Sequence, residues 1–290
     1  MKMLVIGDEA RVQKYLPDLP IVHNTEIAVA ERGTADDDLI ALAPDADFIM
    51  ADAISPVGRS LMERLPRLKL VHSEGVAYNA IDTEAAAQLG IAVCNNAGVN
   101  AGAVAEQAVL LMLACLRDAL AGDAAVRNGR QIQTKESMMV QGIRELGDCA
   151  VGFVGFGAIA QATAKRLAPW GCTMAYNKRT PLAAADEAKL HARYRDLDDL
   201  LAESDIVSLH VPVTAATEGM VNDGFLAKMK PGSILINTAR GDIVDQEALV
   251  RALESGHVSA AGLDTLSPEP VQTDNPLLNM SPQASARVVF

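Results

Sequence analysis

Short apolar runs alternate with helix-length segments along almost the whole chain. In the first third, the apolar runs predict four buried strands, at residues 2–6, 46–51, 68–71 and 91–94. Helix-length segments lie between these runs, around residues 35–42, 56–65 and 83–89. This alternation is typical of a parallel sheet with helices on both faces.

A second alternating series follows a long apolar segment. Residues 100–117 predict one long helix, and because little of its surface is polar we expect it to be buried between two domains or two subunits. Residues 129–146 are predicted to be irregular. The next strands are predicted at residues 150–154, 173–176, 206–210, 233–237 and 259–263. The fold class is therefore α/β, with two doubly wound parallel-sheet domains at residues 1–98 and 99–290, the second of which begins with the long helix.

Composition narrows the class of protein. The chain has 290 residues, of which 50% are hydrophobic and 21% charged, as in globular proteins. Its 25 Lys and Arg against 37 Asp and Glu give a net charge of −12, and the scattered cations form no basic stripe for nucleic acid. The longest apolar run has about nine residues, fewer than the roughly 20 of a membrane span. Four cysteines lie far apart, which argues against a zinc site or a disulfide framework. We expect a cytoplasmic protein with no nucleic-acid, membrane or metal partner.

A glycine-rich turn follows the predicted strand at 150–154. Gly155 permits a tight turn, Gly157 lets the backbone approach a pyrophosphate, and Ala158 and Ile159 open a helix whose N-terminus favours phosphate. Alone, such a pattern is weak, because any tight strand–helix turn can contain two glycines. With a strand before it and a helix after it, the pattern predicts a dinucleotide site.

The end of the next strand bears on which nucleotide binds. An NAD site places Asp or Glu there to accept hydrogen bonds from the ribose hydroxyls. This chain has Asn177, followed by Lys178, Arg179 and Thr180. Two cations and a hydroxyl suit a 2′-phosphate, so NADP is favoured over NAD, although the same residues also fit an ordinary basic surface turn.

Four segments together resemble the D-isomer-specific 2-hydroxyacid dehydrogenases over nearly the whole chain. They are the loop of residues 68–79, the Val104-Ala105-Glu106 signature, the glycine turn, and residues 236–245 continued by Gly262-Leu263-Asp264 and Pro268-Glu269-Pro270. The resemblance implies hydride transfer between a nicotinamide and C2 of a small 2-oxo or 2-hydroxy acid. It also implies a flavodoxin-like substrate domain, a Rossmann dinucleotide-binding domain and a homodimer.

The resemblance also implies roles for single residues. Arg240 would contact the substrate carboxylate and the C2 oxygen, which suits a permanently charged, planar guanidinium. Glu269 would orient the catalytic histidine and raise its pKa. The backbone N–H groups of Gly75, Val76 and Ala77 would bind the carboxylate. The remaining residues implied on the cofactor side are Val211, Pro212, Thr238, Ala239 and Asp264.

The chain departs from the family pattern in two places. Ala77 replaces a glycine of the substrate loop, and Asn79 stands where Asp is frequent, which puts the identity of the substrate in doubt. The family's histidine follows a strand that resembles residues 286–290, so we expect it beyond Phe290 and expect the chain to lack the segment that returns to the first domain. His210 belongs to a cofactor-side strand end and is a poor proton donor.

Three functions stay open from the sequence. The leading hypothesis is an NADP-dependent reductase of the glyoxylate or hydroxypyruvate type. The alternatives are an NAD-dependent dehydrogenase of the phosphoglycerate type and a non-catalytic nucleotide sensor on the same fold. A phosphorylated substrate needs cations near the substrate loop, and only Arg67 and Lys69 precede it closely.

Overall fold

The computed structural model describes residues 1–290, with the side chain of Gln141 excepted. The chain divides into two compact units, Met1–Val99 (unit 1) and Asn100–Phe290 (unit 2). Each unit has its own parallel sheet and its own core, so each is described by itself.

Unit 1 has a five-stranded sheet in the order β2-β1-β3-β4-β5, and every pairing is parallel. The strands are β1 (Lys2–Ile6), β2 (Glu26–Ala30), β3 (Phe48–Ala51), β4 (Leu70–Ser73) and β5 (Ala92–Asn95). The helices are α1 (Glu9–Tyr15), α2 (Pro20–His23), α3 (Asp36–Leu42), α4 (Arg59–Glu63) and α5 (Thr83–Gln88). This strand order is that of flavodoxin-like folds, which confirms the predicted fold class for this half of the chain.

Unit 2 has a seven-stranded sheet in the order β12-β11-β10-β9-β6-β7-β8, again with parallel pairings. The strands are β6 (Ala150–Val154), β7 (Thr173–Asn177), β8 (Ala192–Tyr194), β9 (Ile206–Leu209), β10 (Ser233–Asn237), β11 (Val258–Leu263) and β12 (Val288–Val289). The helices are α6 (Ala101–Leu116), α7 (Ala119–Arg127), α8 (Gln131–Gln141), α9 (Ala158–Leu167), α10 (Ala184–Leu190), α11 (Leu197–Glu203), α12 (Asp223–Lys228), α13 (Gln246–Glu254) and α14 (Pro282–Ser285). The order reverses between β6 and β9, as in a Rossmann fold, which confirms the predicted class for this half.

The sheet of unit 2 buries both faces, because successive side chains of a strand point to opposite sides. Along β10, Ile234 and Ile236 pack with residues of α6 and α9, whereas Leu235 packs with residues of α11, α12 and α13. Continuous apolar strands of this kind are typical of parallel sheets covered by helices on both faces.

The long helix predicted at residues 100–117 is α6, but it is not buried all round within unit 2. Ala108 and Leu111 lie on its buried face, whereas Leu110 keeps 58% of its surface exposed. A Cβ at Gly262 of β11 would lie 2.8 Å from Leu111 Cβ, so the close approach of α6 to the sheet requires glycine there. None of the described helices is long and apolar enough to cross a membrane.

Three sequence predictions about elements are wrong. The first third contains a fifth strand, β2, which lies at the sheet edge and has only one fully buried residue. The second series contains a further short edge strand, β8, whereas β12 lies in the segment of residues 286–290 that the family resemblance already marked as a strand. Residues 129–146 are not irregular throughout, because most of them form α8. None of the described side chains of α8 is buried, so its sequence has no clear apolar period.

Each sheet is fixed at its amino edge by one buried aspartate. Asp205, just before β9, accepts hydrogen bonds from the Ala150 amide (2.9 Å) and Lys230 Nζ (2.7 Å) and also pairs with Arg144. Asp47, just before β3, accepts from the Lys2 amide (3.0 Å) and Arg67 Nη2 (3.0 Å). Burial alone would raise the pKa of Asp205, but Lys230 and the Ala150 amide outweigh burial and hold this pKa below its usual value.

We predict that Asp205→Asn destabilises unit 2 by about 1–3 kcal/mol at pH 7, because Lys230 and Arg144 lose their charged partner. The folded-state pKa of Asp205 is depressed, so its contribution is present above the unfolded pKa of about 3.9 and is lost as pH falls through the folded pKa. The difference in free energy of unfolding between wild type and variant, measured with urea, should therefore be larger at pH 7 than near pH 2.5. Asp198→Asn, which alters an exposed pair with Lys228, is the control. An equal gap at both pH values would contradict this account.

Candidate functional site

The turn after β6 has the geometry of an anion-binding turn. Gly155 has φ of +87°, and a Cβ on it would lie 2.5 Å from the His210 carbonyl oxygen, so the chain needs glycine there. A Cβ on Gly157, the residue that caps α9, would meet nothing within 4 Å, so its backbone is open to a ligand. The first-turn amides, at Ala158 and Ile159, have no acceptor within the helix and lie at its positive end.

The turn opens into a cleft of about 640 Å³ within unit 2. The cleft is lined by the glycine turn, the loop after β7 and the segment after β9. The predicted cofactor residues among its lining are Gly155, Gly157, Asn177, Lys178, Arg179, Val211 and Pro212. The structure thus brings together residues that are up to about 60 positions apart in the sequence.

The loop after β7 is held in place by a buried tyrosine. The Tyr176 ring stacks on the Phe156 ring of the glycine turn, with centroids 4.3 Å apart. The Tyr176 hydroxyl accepts from the Leu182 amide (2.7 Å) and donates to Glu187 Oε1 (2.8 Å), which also accepts from the Tyr194 amide. Burial raises the pKa of Tyr176, so the phenol keeps the proton that it donates. These contacts hold the loop of residues 177–182 at both ends.

The charge of this loop is positive and uncompensated. No carboxylate of the described residues lies within ion-pair distance of Lys178 or Arg179. Asn177 occupies the position that carries an acidic residue in NAD sites, and its Nδ2 donates to the Arg195 carbonyl oxygen (2.9 Å). The cleft therefore offers two cations and no carboxylate where a ribose would bind.

The turn after β10 presents Arg240 at the carboxyl edge of the same sheet. Asn237, which is buried, accepts from the Ala239 amide (3.0 Å) and donates to the Arg240 carbonyl oxygen (2.9 Å). These two bonds fix the backbone of Thr238, Ala239 and Arg240. The Arg240 side chain is exposed, and its Nη1 donates to the Ala239 carbonyl oxygen.

The loop after β11, the neighbouring strand, carries Asp264 and Glu269. Gln107 Nε2 of α6 donates to Asp264 Oδ1 at 3.0 Å. Gln246 and Asn275 both donate to the Ser267 carbonyl oxygen, and Ser267 also bonds to Asp242 in the segment after Arg240. Glu269 lies exposed on this anchored loop. Arg240 and Glu269 thus lie on the segments that follow two adjacent strands, β10 and β11.

Two buried hydroxyls at these strand ends lack partners. Neither Thr238 Oγ1 nor Thr265 Oγ1 has a hydrogen-bond partner among the described residues. A buried polar group left without a partner costs free energy, so such groups often mark a ligand site.

The loop after β4 in unit 1 is built to present amides. Ser73 Oγ donates to the Ala77 carbonyl oxygen (2.5 Å), and Asn95 Nδ2 donates to the Val76 carbonyl oxygen (2.5 Å). Asn96 engages the carbonyl groups of the two preceding residues, Glu74 and Gly75. Its Nδ2 donates to the Glu74 carbonyl oxygen, and its backbone amide donates to the Gly75 carbonyl oxygen.

With their carbonyls engaged, the amides of Gly75, Val76 and Ala77 are left without acceptors among the described residues. Adjacent free amides of this kind form a concavity that binds anions. The amides of the predicted substrate loop, including that of Ala77 in place of glycine, are therefore available to a ligand.

His210 is unsuited to donate a proton. Its Nε2 lies 2.9 Å from Ser208 Oγ, and its ring packs 5.7 Å from the Phe153 ring. Burial lowers the pKa of His210 to about 4, so the imidazole is neutral at pH 7. No group of three or more metal-ligating side chains occurs within the part of the chain that the structure describes.

Comparison with known proteins identifies the family. Residues 109–284 match the family model described as "D-isomer specific 2-hydroxyacid dehydrogenase, NAD binding domain". The chain belongs to the D-isomer-specific 2-hydroxyacid dehydrogenase family. The match spans the glycine turn, Arg240 and Glu269, and it confirms the resemblance seen in the sequence.

Individual relatives agree with this family. A hydroxypyruvate reductase of Thermotoga maritima is 36% identical over 251 residues, which are 86% of this chain and 79% of the relative. A D-3-phosphoglycerate dehydrogenase of Mycobacterium bovis is 38% identical over 246 residues, 84% of this chain but only 45% of the relative. The chain thus spans less than half the length of that relative. The apo D-mandelate dehydrogenase of Rhodotorula graminis superposes with a TM-score of 0.85 at 28% identity, covering 99% of this chain and 86% of the other.

A dinucleotide fits the carboxyl edge of the unit 2 sheet on three observations. The glycine turn offers free amides, the loop after β7 offers two cations, and two unpartnered threonine hydroxyls lie at the ends of β10 and β11. The residues that would hold the phosphates are Gly155, Gly157, Ala158 and Ile159, and Lys178 and Arg179 line the same cleft on the loop after β7.

Sequence reasoning missed the residues that hold the site in shape. Tyr176, Asn237, Gln107 and the pair Asn95 and Asn96 all act on loops through hydrogen bonds. Asn237 could have been suspected, because an amide side chain inside a run of buried strand residues needs partners. The others give no signal, since their partners lie elsewhere in the sequence.

We predict that Tyr176→Phe loosens the loop of residues 177–182, because the Leu182 amide loses its acceptor. Hydrogen exchange at Leu182 should speed up by about tenfold, the factor that corresponds to one lost hydrogen bond of about 1–1.5 kcal/mol. Tyr15→Phe is the control, since it removes an exposed hydroxyl in unit 1. Unchanged exchange at Leu182 in the Tyr176 variant would show that the hydroxyl does not hold the loop.

Proposed function

We propose that the protein is a reductase that transfers a hydride between NADP(H) and C2 of a small 2-oxo or 2-hydroxy acid, of the glyoxylate or hydroxypyruvate type. The observation that carries this proposal is the set of free amides at Gly75, Val76 and Ala77, whose carbonyls are tied back by side chains. Such a group suits a carboxylate, and the other unit of the chain has a dinucleotide turn. The name of the Thermotoga maritima relative supports the same substrate class.

In this proposal Arg240 and Glu269 are the catalytic residues. Arg240 binds the substrate carboxylate and stabilises negative charge on the C2 oxygen, for which a planar and permanently charged group is suited. Glu269 orients the histidine that donates the proton, as the family resemblance implies. The nicotinamide, when bound, supplies or accepts the hydride. Thr238, Ala239 and Asp264 lie on the nicotinamide side, with Asp264 held by Gln107.

We assign unit 1 to substrate binding and unit 2 to nucleotide binding, with NADP preferred over NAD. The preference rests on Lys178 and Arg179, whose charges have no partner among the described residues, and on Asn177 in place of a carboxylate. A carboxylate there would repel a 2′-phosphate, whereas these cations attract it.

The second candidate is an NAD-dependent dehydrogenase of the phosphoglycerate type, which the Mycobacterium bovis relative favours. A phosphate-bearing substrate needs cations at the substrate loop. Arg67 and Lys69 do not supply them, because both pair with Asp47 at the amino edge of the unit 1 sheet, at the opposite end of β4 from the loop. The position of Arg67 and Lys69 therefore argues against a phosphorylated acid as the substrate.

The third candidate is a nucleotide sensor without catalytic activity. Turnover of any 2-oxo acid would exclude it.

We also propose a homodimer. Large apolar side chains lie exposed on α6, α7 and α8, with Leu110 at 58%, Val126 at 52% and Met139 at 70%. Exposed apolar surface on neighbouring helices is typical of a subunit interface. Light scattering at micromolar concentration should give twice the chain mass, and a monomer would contradict the proposal.

The location of the protein is a separate question. A cytoplasmic location stays a prediction.

We predict that Arg240→Lys lowers kcat together with kcat/KM, by about 100-fold. Lysine keeps the charge but loses the two-pronged contact that strengthens as charge develops on the C2 oxygen. Steady-state assays with NADPH and a panel of 2-oxo acids measure both constants. Arg193→Lys, an exposed position on β8, is the control. A rise in KM alone would mean that Arg240 only anchors the substrate, and no turnover by wild type would overturn the proposed function.

We predict that Arg179→Ala weakens NADPH binding by about 1.5–3 kcal/mol and leaves NADH binding nearly unchanged, because it removes one charge-assisted contact with the 2′-phosphate. Fluorescence titration with each nucleotide measures both affinities. Arg193→Ala, outside the cleft, is the matched control. Equal losses for the two nucleotides, or tighter binding of NADH by wild type, would show that the loop after β7 does not recognise the phosphate.

A further inference from the structure

A second group of charged side chains lies at the carboxyl edge of the unit 1 sheet. The strand order reverses between β1 and β3, and ligands of open α/β sheets bind outside the strand ends at such a reversal. Gly7 follows β1 there. A Cβ placed on Gly7 would lie 3.5 Å from Arg11 Nη2, 4.0 Å from Asp52 Cβ and 4.0 Å from Glu74 Oε2. Three charged side chains therefore converge over one glycine.

Two ion pairs form in this group, and they differ in how many of their hydrogen-bonding atoms have no partner in the protein. Asp52, 5% exposed, accepts from the amides of Ile54 and Ser55 and from Arg32, so it is occupied by the protein itself. Arg11 Nη2 donates to Glu74 Oε2 at 2.6 Å, and these two side chains are 39% and 32% exposed. Neither Arg11 Nη1 nor Glu74 Oε1 has a partner among the described residues. Arg11 Nε is also buried without a partner. The ion pair therefore keeps free donors on Arg11 and one free acceptor on Glu74.

Glu74 also adjoins the amides that the proposed function assigns to the substrate carboxylate. It directly precedes Gly75, and its own carbonyl accepts from Asn96. A small acid held by the amides of Gly75, Val76 and Ala77 would thus have the Arg11–Glu74 pair beside it.

The chemistry of the pair favours a hydroxyl. A hydroxyl can accept from Arg11 and donate to Glu74 at once, whereas a carboxylate serves only Arg11 and an ammonium serves only Glu74. A phosphate dianion would meet the carboxylates of Glu74 and Asp52, which already neutralise the charges of the two nearby arginines. A methyl group would remove the free donor of Arg11 and the free acceptor of Glu74 from water without giving either a new hydrogen bond, which is unfavourable.

We propose that Arg11 and Glu74 form a subsite for a hydroxyl on C3 of the substrate, so that the protein selects 3-hydroxy-2-oxo acids over unsubstituted and phosphorylated ones. This inference rests on the proposed function, because it places the acid carboxylate on the loop after β4. The proposal assigns a role in substrate specificity to Arg11 and Glu74, which are 63 positions apart in the sequence. The resemblance to the family assigns no role to either residue.

The test compares kcat/KM for hydroxypyruvate and pyruvate, which differ by one hydroxyl, with saturating NADPH. The intrinsic reactivities of the two acids cancel when the ratio for a variant is divided by the ratio for wild type. The double variant Arg11→Met/Glu74→Leu removes donor and acceptor together and leaves no unpaired charge. Glu74→Gln is the conservative second variant, and the control is Arg59→Met/Glu63→Leu, a comparable pair on α4.

We expect the double variant to lower the hydroxypyruvate-to-pyruvate ratio by about 10- to 100-fold, the range for hydrogen bonds to charged groups, and Glu74→Gln to lower it less. The control should leave the ratio within about twofold. An unchanged ratio in the double variant, or wild-type turnover of phosphohydroxypyruvate as fast as that of hydroxypyruvate, would overturn the subsite while leaving the proposed function in place. No turnover of any acid would overturn the proposed function and this inference with it.

Discussion

Parallel pairing of every strand is the constraint on which the rest of the structure depends. Because all strands of a sheet run the same way, their carboxyl ends and the loops that follow meet at one edge. In unit 2 this edge collects the glycine turn, the loop after β7, Arg240 and Glu269. In unit 1 it collects the free amides of residues 75–77 and the Arg11–Glu74 pair. The opposite edge is closed in each unit by a buried aspartate, Asp47 or Asp205, which accepts from the first amide of the neighbouring strand.

The candidate sites share one device, a backbone whose carbonyls are occupied and whose amides are free. Helix α9 achieves this by its own geometry, because its first amides have no acceptor in the helix. The loop after β4 is not helical, so Ser73, Asn95 and Asn96 engage its carbonyls instead. Arrangements of this kind hold anions without a formal charge. In the proposed function, the cations Lys178 and Arg179 then distinguish NADP from NAD.

The sequence was most informative where a local pattern determines the structure. The strand–glycine–helix pattern at residues 150–167 predicted the turn and the helix correctly, because both depend on neighbouring residues. Edge strands such as β2 and β8 were missed, since a short strand with few buried residues has little apolar signal. The sequence positions of Arg67 and Lys69 suggested a role that the structure does not support. Both residues are close to the substrate loop in sequence, but β4 lies between them and the loop and spans roughly 13 Å. The Arg11–Glu74 pair could not be predicted, because topology alone brings α1 to the loop after β4.

Hydrogen exchange on the wild-type chain, with NADPH or NADH added at saturating concentration, tests the central claim most directly. That claim is that the carboxyl edge of unit 2 holds a nucleotide through free amides and recognises its 2′-phosphate through the loop after β7. NADPH should slow exchange at residues 155–159 and at residues 178–182, whereas NADH should slow it only at residues 155–159. Equal slowing at residues 178–182 by both nucleotides, or no slowing at residues 155–159 by either, would contradict the account.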